Sequence, residues 1–122
     1  SALMTGQTPV PWPLAAAACE AIEILKTTPG LRSALAQNTA HVKNALRAAK
    51  FPVVDSPAPI IQVIPQTAAS LKRLKARLLA QGIYPSFIRY PGGPASGYFR
   101  FALSSEHTRD QLDRLVQALT AK

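Results

Sequence analysis

The sequence predicts an α+β domain, in which a small, mainly antiparallel sheet of three or four strands is backed by helices. Apolar residues make up 48% of the 122 residues and charged residues only 16%, which is typical of a folded domain with one core. Helical and strand-like segments follow one another in the order α-α-β-α-β-β-α. This order lacks the strict strand–helix alternation and the glycine-rich loop of a doubly wound nucleotide-binding domain.

The first predicted helix is rich in alanine. Prolines between residues 9 and 13 favour extended backbone, and a segment of high helix propensity follows from Leu14 to Thr27. Because this segment is mostly apolar, we expect the helix to be buried. Cys19 then reads as a small buried side chain.

The second predicted helix is amphipathic and runs from Pro29 to about Lys50. Thr28 is a suitable N-cap, and proline is tolerated in the first turn of a helix. Apolar side chains recur at helical spacing along one face, which Asn38 interrupts. Lys43 lies, with the other basic residues, mostly outside this apolar stripe.

Strands and helices are shorter in the second half of the chain. The β-branched segment Ile60–Ile64 predicts a buried strand, and a helix is expected over Thr67–Gln81, ended by Gly82. Two further strands are expected over Ile83–Tyr90 and Gly97–Leu103, joined by a turn rich in proline and glycine.

The last helix is the most clearly marked element of the sequence. Thr108-Arg109-Asp110-Gln111 has the pattern of a capping box, and leucines follow at helical spacing. The neighbouring His107 is expected to support this helix start by local packing or capping.

The chain is strongly basic, with 14 Lys and Arg against six Asp and Glu. Such a balance is compatible with nucleic acid or another anionic partner. The densest positive charge, from Lys72 to Arg77, lies on a predicted helix without the exposed aromatic residues that nucleic-acid binders use. We therefore interpret it as a solvated face and do not expect nucleic acid as the partner.

Metal sites and membrane segments are not indicated. A single cysteine cannot form an internal disulfide, and with only two histidines no spacing of soft ligands suggests a zinc site. No apolar run approaches the length of a membrane span, and the N-terminus lacks the pattern of a signal peptide. We expect no membrane partner and a cytoplasmic location.

Two arginines are candidates for binding a ligand. Arg89 ends one predicted strand, and Arg100 lies inside the next, between Phe99 and Phe101. Since successive side chains of a strand point to opposite faces, Arg100 faces away from a core that holds both phenylalanines. A guanidinium there forms either structural ion pairs or a bond to the carboxylate of a ligand. The residues alone leave both alternatives open.

Segments along the whole chain follow a known order. They are Thr8–Pro11 before the alanine-rich helix, Thr28–Arg32, Ile60–Ile64, Ile88–Pro91, Arg100–Thr108 and the terminal helix with Leu112–Leu115. In this order they resemble the α-oxoamine synthases, a family of pyridoxal-phosphate enzymes of fold type I. Within that family the 8-amino-7-oxononanoate synthases of biotin biosynthesis are the nearest comparison.

The resemblance implies that the chain is the C-terminal small domain of a larger enzyme. Residues 1–13 would continue from a large domain, and residues 14–122 would form the small domain. The lysine that binds pyridoxal phosphate is expected in the large domain, because no lysine of this chain has the Ser-x-Ser-Lys context of the family. The isolated chain is therefore expected to contain no catalytic residue, to bind no pyridoxal phosphate and to be inactive.

The resemblance also implies a reaction and site residues. Members of the family condense an amino acid with an acyl-CoA and are homodimers. Arg100 matches the arginine that binds the α-carboxylate of the amino acid, and Arg89 matches a second arginine that some members use for it. Thr8 matches the threonine that contacts the cofactor phosphate of the neighbouring subunit, although one local gap would assign this role to Thr5. Tyr90 replaces a proline of the family pattern.

Two alternatives remain at this point. One is a stand-alone basic α+β module that binds nucleic acid or an acidic partner. The other is a different oxoamine synthase or a protein similar to the class I and II aminotransferases.

Overall fold

The computed structural model describes residues 12–89, 91–94 and 97–122. The chain divides into two compact units, of which the first ends at Arg32 and the second runs from Ser33 to Lys122. The boundary lies inside the second helix. The predicted order of helices and strands is confirmed.

The first unit contains helix α1, Trp12–Thr27, and the beginning of α2, Pro29–Ala48. The expectation that this alanine-rich helix is buried is wrong for its described side chains. Ile22 is 52% exposed and Ile24 46% exposed, and Cys19 is exposed as well. Alanine favours a helix because it loses no side-chain entropy, and this preference does not depend on burial.

The second unit is a three-stranded antiparallel sheet with helices packed on one face. The strands are β1 (Ile60–Val63), β2 (Ser86–Ile88) and β3 (Tyr98–Ala102). Their spatial order is β1-β3-β2, so β3 is the central strand. Helices α3 (Ala68–Ala80) and α4 (Arg109–Thr120) complete the unit together with α2.

The buried face of the sheet carries the core. Phe99 and Phe101 of β3 pair in register with Val63 and Ile61 of β1, and all four side chains are buried. They form one cluster with apolar residues of the three helices, which are Val42, Leu46, Leu74, Leu78, Leu112, Leu115, Ala118 and Leu119. The helices therefore cover one face of the sheet. On the opposite face, called the open face below, Gln62, Ser86, Arg100 and Ala102 are exposed among the described residues.

Strand β2 is shorter than predicted. The sequence indicated Ile83–Tyr90, whereas the strand is Ser86–Ile88. Pro85 explains the late start, because its ring holds φ near −65° while an antiparallel strand needs about −140°. As β2 lies at the edge of the sheet, Phe87 remains 39% exposed.

The helix ends follow the predicted signals. The Thr108 side chain accepts a hydrogen bond from the Gln111 backbone N–H, and the Gln111 side chain accepts one from the Thr108 backbone N–H. The capping box of α4 is therefore confirmed. Thr67 caps α3 in the same way. Gly82 follows α3 with φ +75°, the left-handed conformation expected of a glycine that ends a helix.

Lys43 is an unexpected core neighbour. Its side chain is only 3% exposed, and its Nζ donates a hydrogen bond to the Ser56 carbonyl in the segment between α2 and β1. The long aliphatic stem packs with apolar residues while the ammonium finds an acceptor. Lys43 thereby attaches this segment to the helix layer.

We predict that Gly97→Ala destabilises the domain more than Gly92→Ala. Both glycines have positive φ, +79° and +86°, so both substitutions cost about 1–2 kcal/mol of backbone strain. Only at Gly97 would the new Cβ lie 2.5 Å from the Phe87 ring and 2.9 Å from the Ile88 carbonyl oxygen, whereas the space at Gly92 is open. Urea unfolding of both variants measures the difference, and equal midpoints would contradict the close packing of Gly97 on β2.

Candidate carboxylate-binding site

Arg100 occupies the centre of the open face of the sheet. Its register partners are Gln62 on β1 and Ser86 on β2. Phe99 and Phe101 on either side are buried, while Arg100 is exposed, which confirms the predicted alternation. The guanidinium is thus carried by the central strand, which is paired with β1 on one side and β2 on the other.

The structural ion pair that the sequence left open for Arg100 and Arg89 is not formed within the described part of the chain. All six carboxylate side chains of the protein lie in that part. The ion pairs there are Glu23–Lys26, Asp55–Arg47, Asp110–Arg114 and Asp113–His41. Among the described residues, no carboxylate is bonded to the Arg100 guanidinium, which leaves its planar set of donors for a ligand.

Arg89 lies on the other side of the sheet. Its guanidinium carbon is 5.7 Å from the centre of the Phe87 ring, a cation–π contact. The Phe87 ring in turn lies 5.2 Å from that of Phe99, on the core side. The structure therefore does not bring Arg89 and Arg100 to a common face. Thr5 and Thr8 lie outside the described residues.

A polar cluster anchors the turn that follows β3. Asn38 on α2 donates from Nδ2 to the carbonyl oxygens of Ser104, at 2.9 Å, and His107, at 3.2 Å. The Ser104 backbone N–H donates to Nδ1 of His107 at 2.9 Å, which confirms the local role expected for this histidine. Sequence reasoning missed Asn38, although a polar residue inside an apolar stripe is the signal of a buried hydrogen bond.

Two more bonds hold the helices behind the sheet. Nε2 of His41 lies 2.6 Å from Oδ1 of Asp113 and joins α2 to α4. Nε of Arg77 donates to the Ala118 carbonyl at 3.0 Å and joins α3 to α4. Together with the turn anchored by Asn38, they keep the layer that supports Arg100 in one arrangement.

A cleft of about 490 Å³ borders Arg100. Both apolar side chains of the core and polar side chains line the cleft. Its lining includes Ile83, Tyr84, Ser86, Ala102, His107, Gln111, Arg114 and Leu115. The cleft lies where β3 continues beyond the last residue pair that it forms with β2, Ser86 with Arg100.

The described residues suit a carboxylate better than a metal or pyridoxal phosphate. No group of three His, Cys, Asp or Glu side chains that would hold a metal occurs in the described part. A Schiff base to pyridoxal phosphate needs a lysine amine. Of the chain's six lysines, none lies on a strand beside Arg100, and the buried Lys43 binds Ser56 on the helix side. These residues would not hold the cofactor by themselves.

Comparison with known proteins assigns the family. The sequence model of "Aminotransferase class I and II" matches residues 1–119. The chain belongs to this family. An 8-amino-7-oxononanoate synthase of Trichlorobacter lovleyi is 30% identical over 116 residues, which are 93% of this chain and 30% of the relative. A 5-aminolevulinate synthase of Cereibacter sphaeroides is 36% identical over 111 residues, 88% of this chain and 27% of the relative.

Solved structures show the same fold. An 8-amino-7-oxononanoate synthase of Francisella tularensis matches 73% of this chain and 26% of its own, with TM-score 0.61 and 28% identity. A serine palmitoyltransferase of Sphingomonas wittichii matches 74% and 23%, with TM-score 0.62 and 26% identity. A serine palmitoyltransferase of S. paucimobilis, solved with a pyridoxal-phosphate–myriocin aldimine, matches at 24% identity and TM-score 0.69, which shows the fold alone.

The resemblance found in the ordered sequence segments is confirmed by these matches. The chain spans about 30% of the length of the curated relatives it matches. Family membership disfavours an unrelated basic binding module. None of the helices that the structure describes is long and apolar enough to cross a membrane.

We predict that Asn38→Ala destabilises the domain by about 1–3 kcal/mol, because two partly buried carbonyl groups lose their donor. The neighbouring Gln37→Ala is the matched control, since Gln37 is exposed. Its unfolding midpoint in urea should stay within about 0.5 kcal/mol of the parent protein. Equal stabilities of the two variants would show that Asn38 does not anchor the turn after β3.

Proposed function

We propose that the chain is the C-terminal domain of a pyridoxal-phosphate-dependent acyltransferase, similar to the 8-amino-7-oxononanoate synthases, that condenses an amino acid with an acyl-CoA. Arg100 would bind and orient the α-carboxylate of the amino acid. The observation that carries this proposal is an exposed guanidinium at the centre of the open sheet face, without a carboxylate partner among the described residues.

The geometry of Arg100 suits this task. A guanidinium binds a carboxylate through two parallel hydrogen bonds, which fix its plane as well as its position. Because Arg100 is held between Gln62 and Ser86 in the central strand, the bound carboxylate would share the rigidity of the sheet. Its orientation decides which bond at the neighbouring α-carbon is aligned for cleavage.

The proposed condensation joins the α-carbon of the amino acid to the carbonyl carbon of the thioester. The thiol of coenzyme A leaves with a proton, and in the decarboxylative form the α-carboxylate leaves as carbon dioxide. Pyridoxal phosphate, when bound by the complete enzyme, supplies the electron sink for the α-carbon. The residues of this chain bind the carboxylate and set its direction.

The remaining assignments follow the resemblance. Residues 1–13 would continue from the large domain and residues 14–122 would form the small domain. Thr8, or Thr5 if the match contains a gap, would contact the cofactor phosphate of the neighbouring subunit in a homodimer. Arg89 would assist with the same carboxylate only if the complete enzyme moved it from Phe87 to the open face. A cytoplasmic location and a place in biotin biosynthesis belong to the same proposal.

The positive charge on α3 is assigned to the phosphates of coenzyme A. Lys72, Arg73 and Lys75 are exposed, and α3 carries no acidic residue. Arg77 is different, because its Nε binds the Ala118 carbonyl. Three cations on one helix surface would attract a thioester that carries several phosphate charges.

We predict that Arg100→Gln in the complete enzyme raises KM for the amino acid about 10- to 100-fold, since charge-assisted hydrogen bonds are lost. Release of free thiol from acyl-CoA is the assay, because an aminotransferase releases none. Arg109→Gln removes an exposed arginine outside the cleft and is the control. A KM for the amino acid that stays the same in Arg100→Gln would contradict the proposed site.

We predict that the double substitution Lys72→Gln and Arg73→Gln weakens the apparent affinity for acyl-CoA and flattens its dependence on salt. Salt screens the attraction between these cations and the phosphates, so removing the cations removes part of the salt effect. KM for the thioester is measured at several salt concentrations. If KM and its salt dependence both match those of the parent enzyme, α3 does not bind the thioester.

A further inference from the structure

The cleft beside Arg100 exists because strand β2 ends early. The pairing of β2 with β3 stops at Ser86 and Arg100, and the pair that the register would place next, Pro85 with Phe101, is not formed. Pro85 has no backbone N–H to donate to β3, and its ring holds φ near −65°, so the pairing does not continue through it. Beyond Arg100, β3 is therefore paired with β1 on one side only, and the cleft lies on the other side, next to the segment before β2.

The cleft is apolar inside and polar at its boundary. Its apolar lining comes from residues of the core and of the segment after α3, which are Ile83, Phe101, Leu103, Leu112 and Leu115. Arg100, Ser86, His107 and Gln111 supply polar groups. With about 490 Å³ it falls in the range of about 300–1,000 Å³ found for small-molecule sites.

The lining does not favour a second charged group inside the cleft. Arg114 is already bonded to Asp110 at 2.6 Å. Nδ1 of His107 accepts the Ser104 N–H, so in the neutral ring Nε2 carries the proton and acts as a donor. A ligand with a polar head and an apolar chain matches this arrangement.

If the proposed function holds, the position of the cleft next to Arg100 indicates which part of the substrates would bind in it. If Arg100 holds the α-carboxylate, the α-carbon is one bond away, and the acyl carbon must come within about 3–3.5 Å of it. The chain of the acyl donor must then leave from a point next to Arg100. We propose that the cleft beside β3 binds the aliphatic chain of the acyl donor and sets its preferred length.

Ala102 offers a direct way to fill the cleft. It lines the cleft and is exposed on the open face, so a larger side chain there need not disturb the buried phenylalanines of β3. Phenylalanine is also a favourable strand residue. Ala36→Phe is the matched control, because Ala36 is an exposed alanine on α2 outside the cleft.

The first experiment measures binding of straight-chain carboxylates, from acetate to decanoate, to the 122-residue chain by NMR titration. We expect the affinity to rise about fourfold for each buried methylene, with shifts at Ile83, Ala102 and Leu115. This rise should persist in Ala36→Phe and Arg100→Gln and should be lost in Ala102→Phe. Affinity independent of chain length, or an equal rise in Ala102→Phe, would overturn the proposal.

The second experiment separates this inference from the proposed function. In the complete enzyme, Ala102→Phe should shift kcat/KM at least tenfold from octanoyl-CoA towards acetyl-CoA. An unchanged preference, with thiol release that still depends on Arg100, would overturn the chain-binding cleft and leave the acyltransferase proposal standing. If no thiol is released although the carboxylates bind by chain length, the cleft stands as an apolar-chain site and the acyltransferase proposal fails.

Discussion

The burial of Phe99 and Phe101 against three helices is the interaction on which the site depends. Both belong to the central strand and lie in one core cluster with α2, α3 and α4. Because side chains alternate along a strand, this burial places Arg100 on the opposite face. Losing the apolar contact on one face would also lose the orientation of the guanidinium on the other. The core and the proposed carboxylate site are two faces of the same strand.

Polar contacts fix the paths of connecting segments, which apolar burial does not determine. Burial favours packed helices but is not directional, so it does not set the exact path of connecting segments. Asn38 binds two carbonyls of the turn after β3, and Lys43 binds the segment before β1. Both donors lie on α2, and both act on segments next to strands of the sheet. One helix thereby positions the entry to β1 and the exit from β3.

The chain shares its fold with one part of its longer relatives. Curated relatives are more than three times as long as this chain, which covers 30% of one of them. Among the described residues, helices cover one face of the sheet, and Arg100 is exposed at the centre of the other. The cleft beside it depends on a local feature, since Pro85 shortens β2. The fold thus follows the family, and the cleft beside Arg100 follows from the short pairing of β2 with β3.

The sequence by itself determined the order of elements, the capping of α4 and the alternation around Arg100, because these depend on residues close together in the chain. It also determined the family, through ordered segments along the whole chain. Tertiary structure alone decided that Asn38 and Lys43 bind distant carbonyls, that Arg89 stacks on Phe87, and that α1 is exposed. The lengths of β2 and of its pairing with β3 were likewise settled in three dimensions. These features depend on which segments meet in space, and propensity and periodicity describe only neighbours in sequence.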